Sequence, residues 1–180
     1  MTKGEILNEA KFEVADRDGF VNVFQNVYEH SSWVAEKAFD ALNSNAAFGF
    51  QDIADLMASL VNGSGREVQL GLLCAHPDLA GRLALRGELT DASRKEQHSA
   101  GLDQCTVEEL EKFQRLNRAY KSKFGFPYII AVSGLNREEI LANFEGRIEN
   151  ATEEEFKTAL REVHKIARIR LAAIFKERKE

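Results

Sequence analysis

The sequence predicts an all-α protein, a single-domain helical bundle of about seven to nine helices. Three observations point there. Its 180 residues hold only two prolines; apolar residues recur with the 3.6-residue period of a helix; and pairs with capping spacing open several of those periodic runs. Phe20, Val23, Phe24, Val27 and Tyr28 fall at i, i+3, i+4, i+7 and i+8, which predicts a first amphipathic helix. Ile53, Leu56, Met57, Leu60 and Val61 repeat that spacing and predict another. In "TVEEL", Thr106 and Glu109 have the spacing of a capping box, opening a helix that carries Leu110, Phe113, Leu116 and Tyr120 inward and stops near Gly125. Asn136 to Glu139 and Thr152 to Glu155 start two more, running toward Arg147 and toward the C-terminus. "VNGSGREV" and "KFGFPY" read as breaks between helices. No internal repeat, low-complexity stretch or linker divides the chain, so residues 1–180 are expected to form one domain.

Composition narrows the function. With 44% hydrophobic and 29% charged residues, the chain can bury one substantial core. A net charge of -5 and a pI near 5.5 leave no basic surplus to neutralise phosphates, which argues against nucleic-acid and anionic-membrane partners. The expected partner is a small molecule or a protein. No apolar stretch nears the roughly 20 residues that span a bilayer. The opening residues show no signal-like apolar run, and "FKERKE" shows no peroxisomal tripeptide. A cytoplasmic protein with free thiols at Cys74 and Cys105 is therefore expected.

Four places depart from the helical pattern. In "LLCAHPDLAG", Pro77 lacks an amide donor and disfavours helical geometry at His76, so His76 is expected to end one helix and face a cavity. A plain helical joint with Pro77 at the first helical position explains the same residues. "DASRKEQHSAGL" is polar and small where an apolar stripe is due. Ser93 and Glu96 have capping-box spacing, and a helix start beside them is also a polar cradle for a ligand. In the last helix Arg170 falls on the apolar face with Phe156, Leu160, Val163, Ile166, Ala167, Leu171 and Ile174. Arg168 points to the polar side with Arg161 and His164. An inward arginine needs a partner: a carboxylate such as Glu96, an anionic ligand, or an internal salt bridge. Finally, Gly125 and Pro127 break "KFGFPYIIAVSG" into an extended run whose backbone groups can read a planar, amide-rich ligand, unless it is a crossing loop with Tyr128, Ile129 and Ile130 in the core. Cys74 with His76 and Cys105 with His98 lack the further ligands of a metal site, and no phosphate-cradling glycine loop is present.

Five stretches in order, "FVNVFQNVYEHSSWVAEKAF", "AHPDLAG", "SRKEQHSAGL", "LNRAYKSKFGFPYIIAVSG" and "EVHKIARIRL", resemble the 2-oxo-4-hydroxy-4-carboxy-5-ureidoimidazoline (OHCU) decarboxylase family from about Phe20 to Leu171. The resemblance implies an all-α homodimer without a cofactor or a metal, making (S)-allantoin in urate degradation. It makes His76 the proton donor, with Glu96 and Arg170 as the other polar active-site groups. Pro77, Ser93, Arg94, Lys95 and Gln97, with the backbone of Tyr128, Ile129, Ile130, Ala131 and Val132, are then expected around the substrate. Two positions differ from the usual family pattern: Tyr128 stands for Phe, and Ser32 for the proline of an "SPW" motif.

The chemistry implied needs little equipment. The departing carboxylate sits beside a ring C=N bond, which accepts the electrons released with CO2. An enol-like intermediate remains and must take a proton on one face, from His76. Glu96 either accepts the ring hydroxyl proton or orients His76. A strong salt bridge to the departing carboxylate would stabilise the ground state, so Arg170 is expected on a carbonyl or ureido oxygen, or on Glu96. Two other classes fit parts of the pattern. A non-catalytic module binding a purine-derived ligand would keep Arg170 but not require His76, and an interaction protein would use "HPDLAG" and "SRKEQ" only as joints and caps.

Overall fold

The computed structural model describes residues 11–12, 16–42, 48–81 and 89–177. Among these are eight α-helices, a short 3-10 turn and a two-residue antiparallel ladder, so the fold is all-α as the sequence predicts. The helices are α1 (Arg17–Phe24), α2 (Trp33–Ala41), α3 (Phe50–Asn62), α4 (Arg66–Cys74), α5 (Asp91–Ser99), α6 (Val107–Phe124), α7 (Arg137–Arg147) and α8 (Thr152–Glu177). The ladder pairs β1 (Lys11–Phe12) with β2 (Phe48–Gly49). The chain forms two compact units, one ending at Leu72 and resuming at His164, the other spanning Leu73–Val163.

The first unit begins at α1, where Asp16 caps the helix by accepting the Gly19 amide at 2.7 Å. Helix α1 is shorter than its apolar stripe implies. It ends at Phe24, and Val27 and Tyr28 are buried from the turns that follow rather than from the helix. These turns lead to His30 at φ 44°. Ser32 sits at the N-cap of α2 and hydrogen-bonds Glu36 at 3.0 Å, so the departure from "SPW" falls at a helix start. The core is aromatic, with Phe20 against Phe24 at 4.6 Å and Phe24 against Phe175 of α8 at 6.5 Å between ring centres.

His164 differs from its expected solvent-facing placement. It lies half-buried, its Nε2 3.0 Å from Asn62 Oδ1 and its Nδ1 2.9 Å from the Tyr28 hydroxyl. An amide oxygen only accepts, so Nε2 carries the proton and Nδ1 accepts from Tyr28. The neutral ring is thus satisfied on both sides, and burial holds its pKa below the ordinary value of 6.5. The unfolded chain binds this proton more readily than the folded one. Stability from His164 is accordingly complete above about pH 6.5 and declines as pH falls through the lower folded value. Urea midpoints should drop between pH 7.5 and 5.5 in the wild type and drop less in His164→Gln; equal slopes would assign the acid sensitivity elsewhere.

In the second unit, α6 opens on the predicted capping box: Thr106 accepts the Glu109 amide at 3.2 Å and Glu109 returns the contact at 2.8 Å. It closes at Gly125, whose φ of 81° suits glycine. Its inward face is rotated from the predicted one. Phe113, Asn117, Tyr120 and Phe124 are buried, while Leu110 and Leu116 are half-exposed. The predicted box of Asn136 and Glu139 caps α7. Thr152 is instead the first helical residue of α8, and Glu155 serves a different purpose.

That purpose is a buried polar centre. Glu155 has 0% exposure and receives hydrogen bonds from the Tyr120 hydroxyl, from Arg147 Nε at 2.8 Å and from Asn150 Nδ2 at 2.7 Å. The Arg147 guanidinium also covers the Tyr128 ring at 4.7 Å, and that ring stacks on Phe144 at 3.7 Å. Aromatic packing and a paired charge are thereby built around one point, beneath the segment that follows Pro127.

Candidate active site

Helix α4 stops at Cys74, two residues before His76, whose amide still reaches back to Leu73 O at 3.2 Å. Proline geometry explains the early stop, because the residue before Pro77 cannot remain helical comfortably. His76 is buried at 9% exposure, and Pro77 is half-buried. The chain then turns tightly, with Gly81 N donating to Asp78 O at 3.3 Å and Ala80 held at φ 46°, an uncommon conformation for a residue with a Cβ. A Cβ at Gly81 would lie 2.6 Å from Asp78 Cβ, so only glycine fits there. Gly81→Ala should lower stability by about 1–3 kcal/mol through forced backbone movement. A denaturant midpoint equal to wild type would show that the turn yields freely.

Helix α5 begins before the Ser93–Glu96 pair whose spacing predicts its cap. Thr90 is the cap, accepting the Ser93 amide at 3.2 Å, and Ser93 and Glu96 both lie inside the helix. Ser93 and Gln97 face inward, Glu96 is half-exposed, and Arg94 and Lys95 are exposed. Gln97 Oε1 accepts the Ala80 amide at 3.1 Å, so α5 touches the turn that follows His76. A cavity of about 580 Å³ borders α5, lined by Arg94, Lys95 and Gln97 together with Ala80, Leu102 and Cys105; His76 and Glu96 are not among its lining residues. Burial, with the charges of Glu109 and Asp103, pushes the Cys105 thiol pKa up, which disfavours the thiolate a nucleophile requires. Among the described residues no group of three or more histidine, cysteine or acidic side chains has the arrangement of a metal site.

The segment from Tyr128 to Val132 has no regular secondary structure and packs into the core, as the crossing-loop reading expects. Tyr128, Ile129, Ile130 and Val132 are buried, while their backbone is gripped at defined points. Ile129 O accepts from Arg147 Nη1 at 2.7 Å, Ala131 N donates to Glu162 Oε2 at 2.9 Å, and Val132 O accepts the Leu135 amide at 3.0 Å. The backbone of Ile130 takes part in none of these bonds. The Tyr128 hydroxyl, absent from the more usual Phe, donates to Asn143 Oδ1 at 2.7 Å. Burial raises its pKa, so it stays a neutral donor.

Arg170 belongs to the first unit and is buried, as its place on the apolar stripe predicts. Its Nη1 donates to Glu29 Oε2 at 2.6 Å and to Asn26 O at 3.2 Å. An internal salt bridge is thus present, with Glu29 as the carboxylate rather than Glu96. Arg168 lies outside, 3.0 Å from Asp55 and 2.7 Å from Gln51.

A family model described as OHCU decarboxylase matches residues 13–172, nearly the whole of the chain. The chain belongs to the OHCU decarboxylase family. A Haloferax volcanii protein named 2-oxo-4-hydroxy-4-carboxy-5-ureidoimidazoline decarboxylase is 45% identical over 160 residues, covering 89% of this chain and 91% of its own. Among solved structures, an (S)-allantoin synthase matches at a TM-score of 0.64 and 32% identity; the match covers 97% of this chain and 54% of that one, so this chain spans about half its length. An OHCU decarboxylase solved in the presence of (S)-allantoin matches at a TM-score of 0.67, covering 86% of this chain and 98% of its own, and at 24% identity it speaks for the fold alone.

Against the residues that the family resemblance nominates, the second unit holds His76, Pro77, the α5 residues and the 128–132 segment, and the first unit holds Arg170. Sequence reasoning missed the groups that hold these in place: Asn117, Arg147, Glu162 and Glu29. Asn117 had a usable signal, since it is polar yet sits at helical spacing from Phe113, Tyr120 and Phe124.

Proposed function

We propose that this protein decarboxylates OHCU to (S)-allantoin in urate degradation. Membership of the family carries the proposal, and His76, in the turn after α4, gives it a chemical centre. The bond from the ring carbon to the carboxylate breaks, and CO2 leaves without the electron pair. That pair forms a C=C bond to the neighbouring ring carbon, while the π electrons of the ring C=N move to nitrogen, which takes a proton from solvent. The resulting enol gives its hydroxyl proton to Glu96 and becomes the ketone. Its C=C pair takes a proton from His76 at the carbon bearing the ureido group, on one face. General acid–base assistance of this kind contributes about 10²–10⁴-fold.

The ring and ureido arm are rich in amides, which suits Ser93, Gln97 and the backbone around Ile130. Pro77 fixes the entry to the turn, and Arg94 and Lys95 border the substrate's approach. The family resemblance further nominates Arg170, for a carbonyl or ureido oxygen rather than the departing carboxylate, and within its own unit Glu29 holds it. The same reading makes the protein a cytoplasmic homodimer, and because the substrate supplies its own electron sink, the reaction requires no cofactor. The test is circular dichroism of allantoin formation, with substrate generated in situ from urate by urate oxidase and hydroxyisourate hydrolase. A rapid (S)-allantoin signal supports the reading. A rate and optical signal equal to the spontaneous racemic background would refute it and favour a non-catalytic ligand-binding module.

A further inference from the structure

We infer that Asn117 is a positioning residue for His76, acting by clamping one peptide group of the turn that carries it; this rests on the decarboxylase reading above. Asn117 is buried at 4% exposure in the middle of α6, and its Nδ2 donates to Leu79 O at 3.0 Å. The amide of the same peptide, Ala80 N, donates to Gln97 Oε1 of α5 at 3.1 Å. One peptide plane is therefore held from both of its edges by two amide side chains on two helices. Fixing that plane fixes ψ of Leu79 and φ of Ala80, and Ala80 stands at 46°, a conformation that needs outside support to persist.

Two other contacts of the described residues near the turn are weaker. Lys121, one helical turn beyond Asn117, pairs with Asp78 at 2.7 Å, but that lysine is 46% exposed and such pairs contribute little. Cys74 Sγ reaches Gly125 O at only 3.5 Å. Among the described residues, Asn117 and Gln97 are buried side chains that tie this peptide. The orientation of the Asn117 amide is not ambiguous, because reversing it would set two carbonyl oxygens against each other. Its Oδ1 is left buried without a hydrogen-bond partner. A leucine, with the same number of side-chain heavy atoms, would avoid that unpaired acceptor. The amide's distinctive contribution is the bond to Leu79. Loss of that bond lets the Leu79–Ala80 plane rotate, and the error passes through Asp78 and Pro77 to the imidazole. A proton donor must lie within about 3 Å of the carbon it serves, so a displacement of an ångström matters.

The test uses Asn117→Asp, which differs in a single group, and Asn117→Leu, assayed from pH 8 to pH 6 with kcat, KM and the enantiomeric excess of the allantoin read together. At pH 8 the aspartate cannot donate to Leu79. The expectation is a kcat reduced about 10- to 100-fold, KM within threefold, and allantoin of lower optical purity after subtraction of the spontaneous reaction. Acidification protonates the aspartate, whose O–H then replaces the amide donor, so its activity relative to wild type should climb while that of Asn117→Leu stays low. A merely structural role would lower the amount of folded enzyme and leave KM and optical purity unchanged. Unchanged optical purity with kcat within twofold of wild type in both variants would overturn the inference alone. A wild type that makes no (S)-allantoin would instead overturn the decarboxylase reading and the inference with it. Should Asn117→Leu fail to fold, the pH response and optical purity of Asn117→Asp decide the matter.

Discussion

His76→Ala should reduce kcat/KM by about 10²–10⁴-fold, and the allantoin it still yields should be close to racemic. The loss should fall on kcat, because the proton moves after the substrate has bound, whereas a residue that only held the substrate would raise KM. The fold should persist. His76 lies in the turn two residues beyond α4, and its backbone contact to Leu73 survives the substitution. His76→Gln retains a polar side chain that cannot deliver a proton at neutral pH and should fail equally. Near wild-type turnover with (S) selectivity in either variant would remove His76 from the proposed mechanism and leave Glu96 as the group to examine.

How far such a site can be read from sequence depends on whether a residue acts through local rules or through distant neighbours. The effect of Pro77 on His76 is local, and the end of α4 was legible for that reason. The caps of α6 and α7 were legible too, because each is a contact between residues three apart. The Ser93–Glu96 pair has that spacing and caps nothing, since Thr90 starts α5 earlier. Spacing alone does not tell which of two hydroxyls begins the helix. Arg170 was legible as an inward charge, but its partner Glu29 lies in aperiodic chain after α1, 141 residues away. The grip of Arg147 on Ile129 O and of Asn117 on Leu79 O likewise joins residues that only tertiary packing brings together. Burial gives such contacts their value and leaves no local trace of the partner.

The same dependence makes Glu155 consequential for stability. Its carboxylate collects Tyr120, Arg147 and Asn150 in a place with no solvent exposure. Glu155→Ala should destabilise the protein by about 3–5 kcal/mol, because it leaves the Arg147 charge buried without its counter-charge. In a chain of this length that corresponds to a fall in Tm of roughly 6–20 °C. Most of this loss comes from stranding Arg147 rather than from losing a net attraction, and a double variant separates the two. Arg147→Met with Glu155→Leu removes both charges and keeps apolar volume, so it should recover much of the stability lost in Glu155→Ala. Activity should follow a different order. The double variant also loses the bond from Arg147 to Ile129 O, so the 128–132 backbone loses one of its ties while the fold is restored. A stable double variant with a raised KM would assign the ion pair two separable effects, one on stability through Glu155 and one on the 128–132 segment through Arg147. If Glu155→Ala and the double variant instead unfold at the same urea concentration, the stranded charge is not the main source of the instability, which then lies in the lost hydrogen bonds of Tyr120 and Asn150.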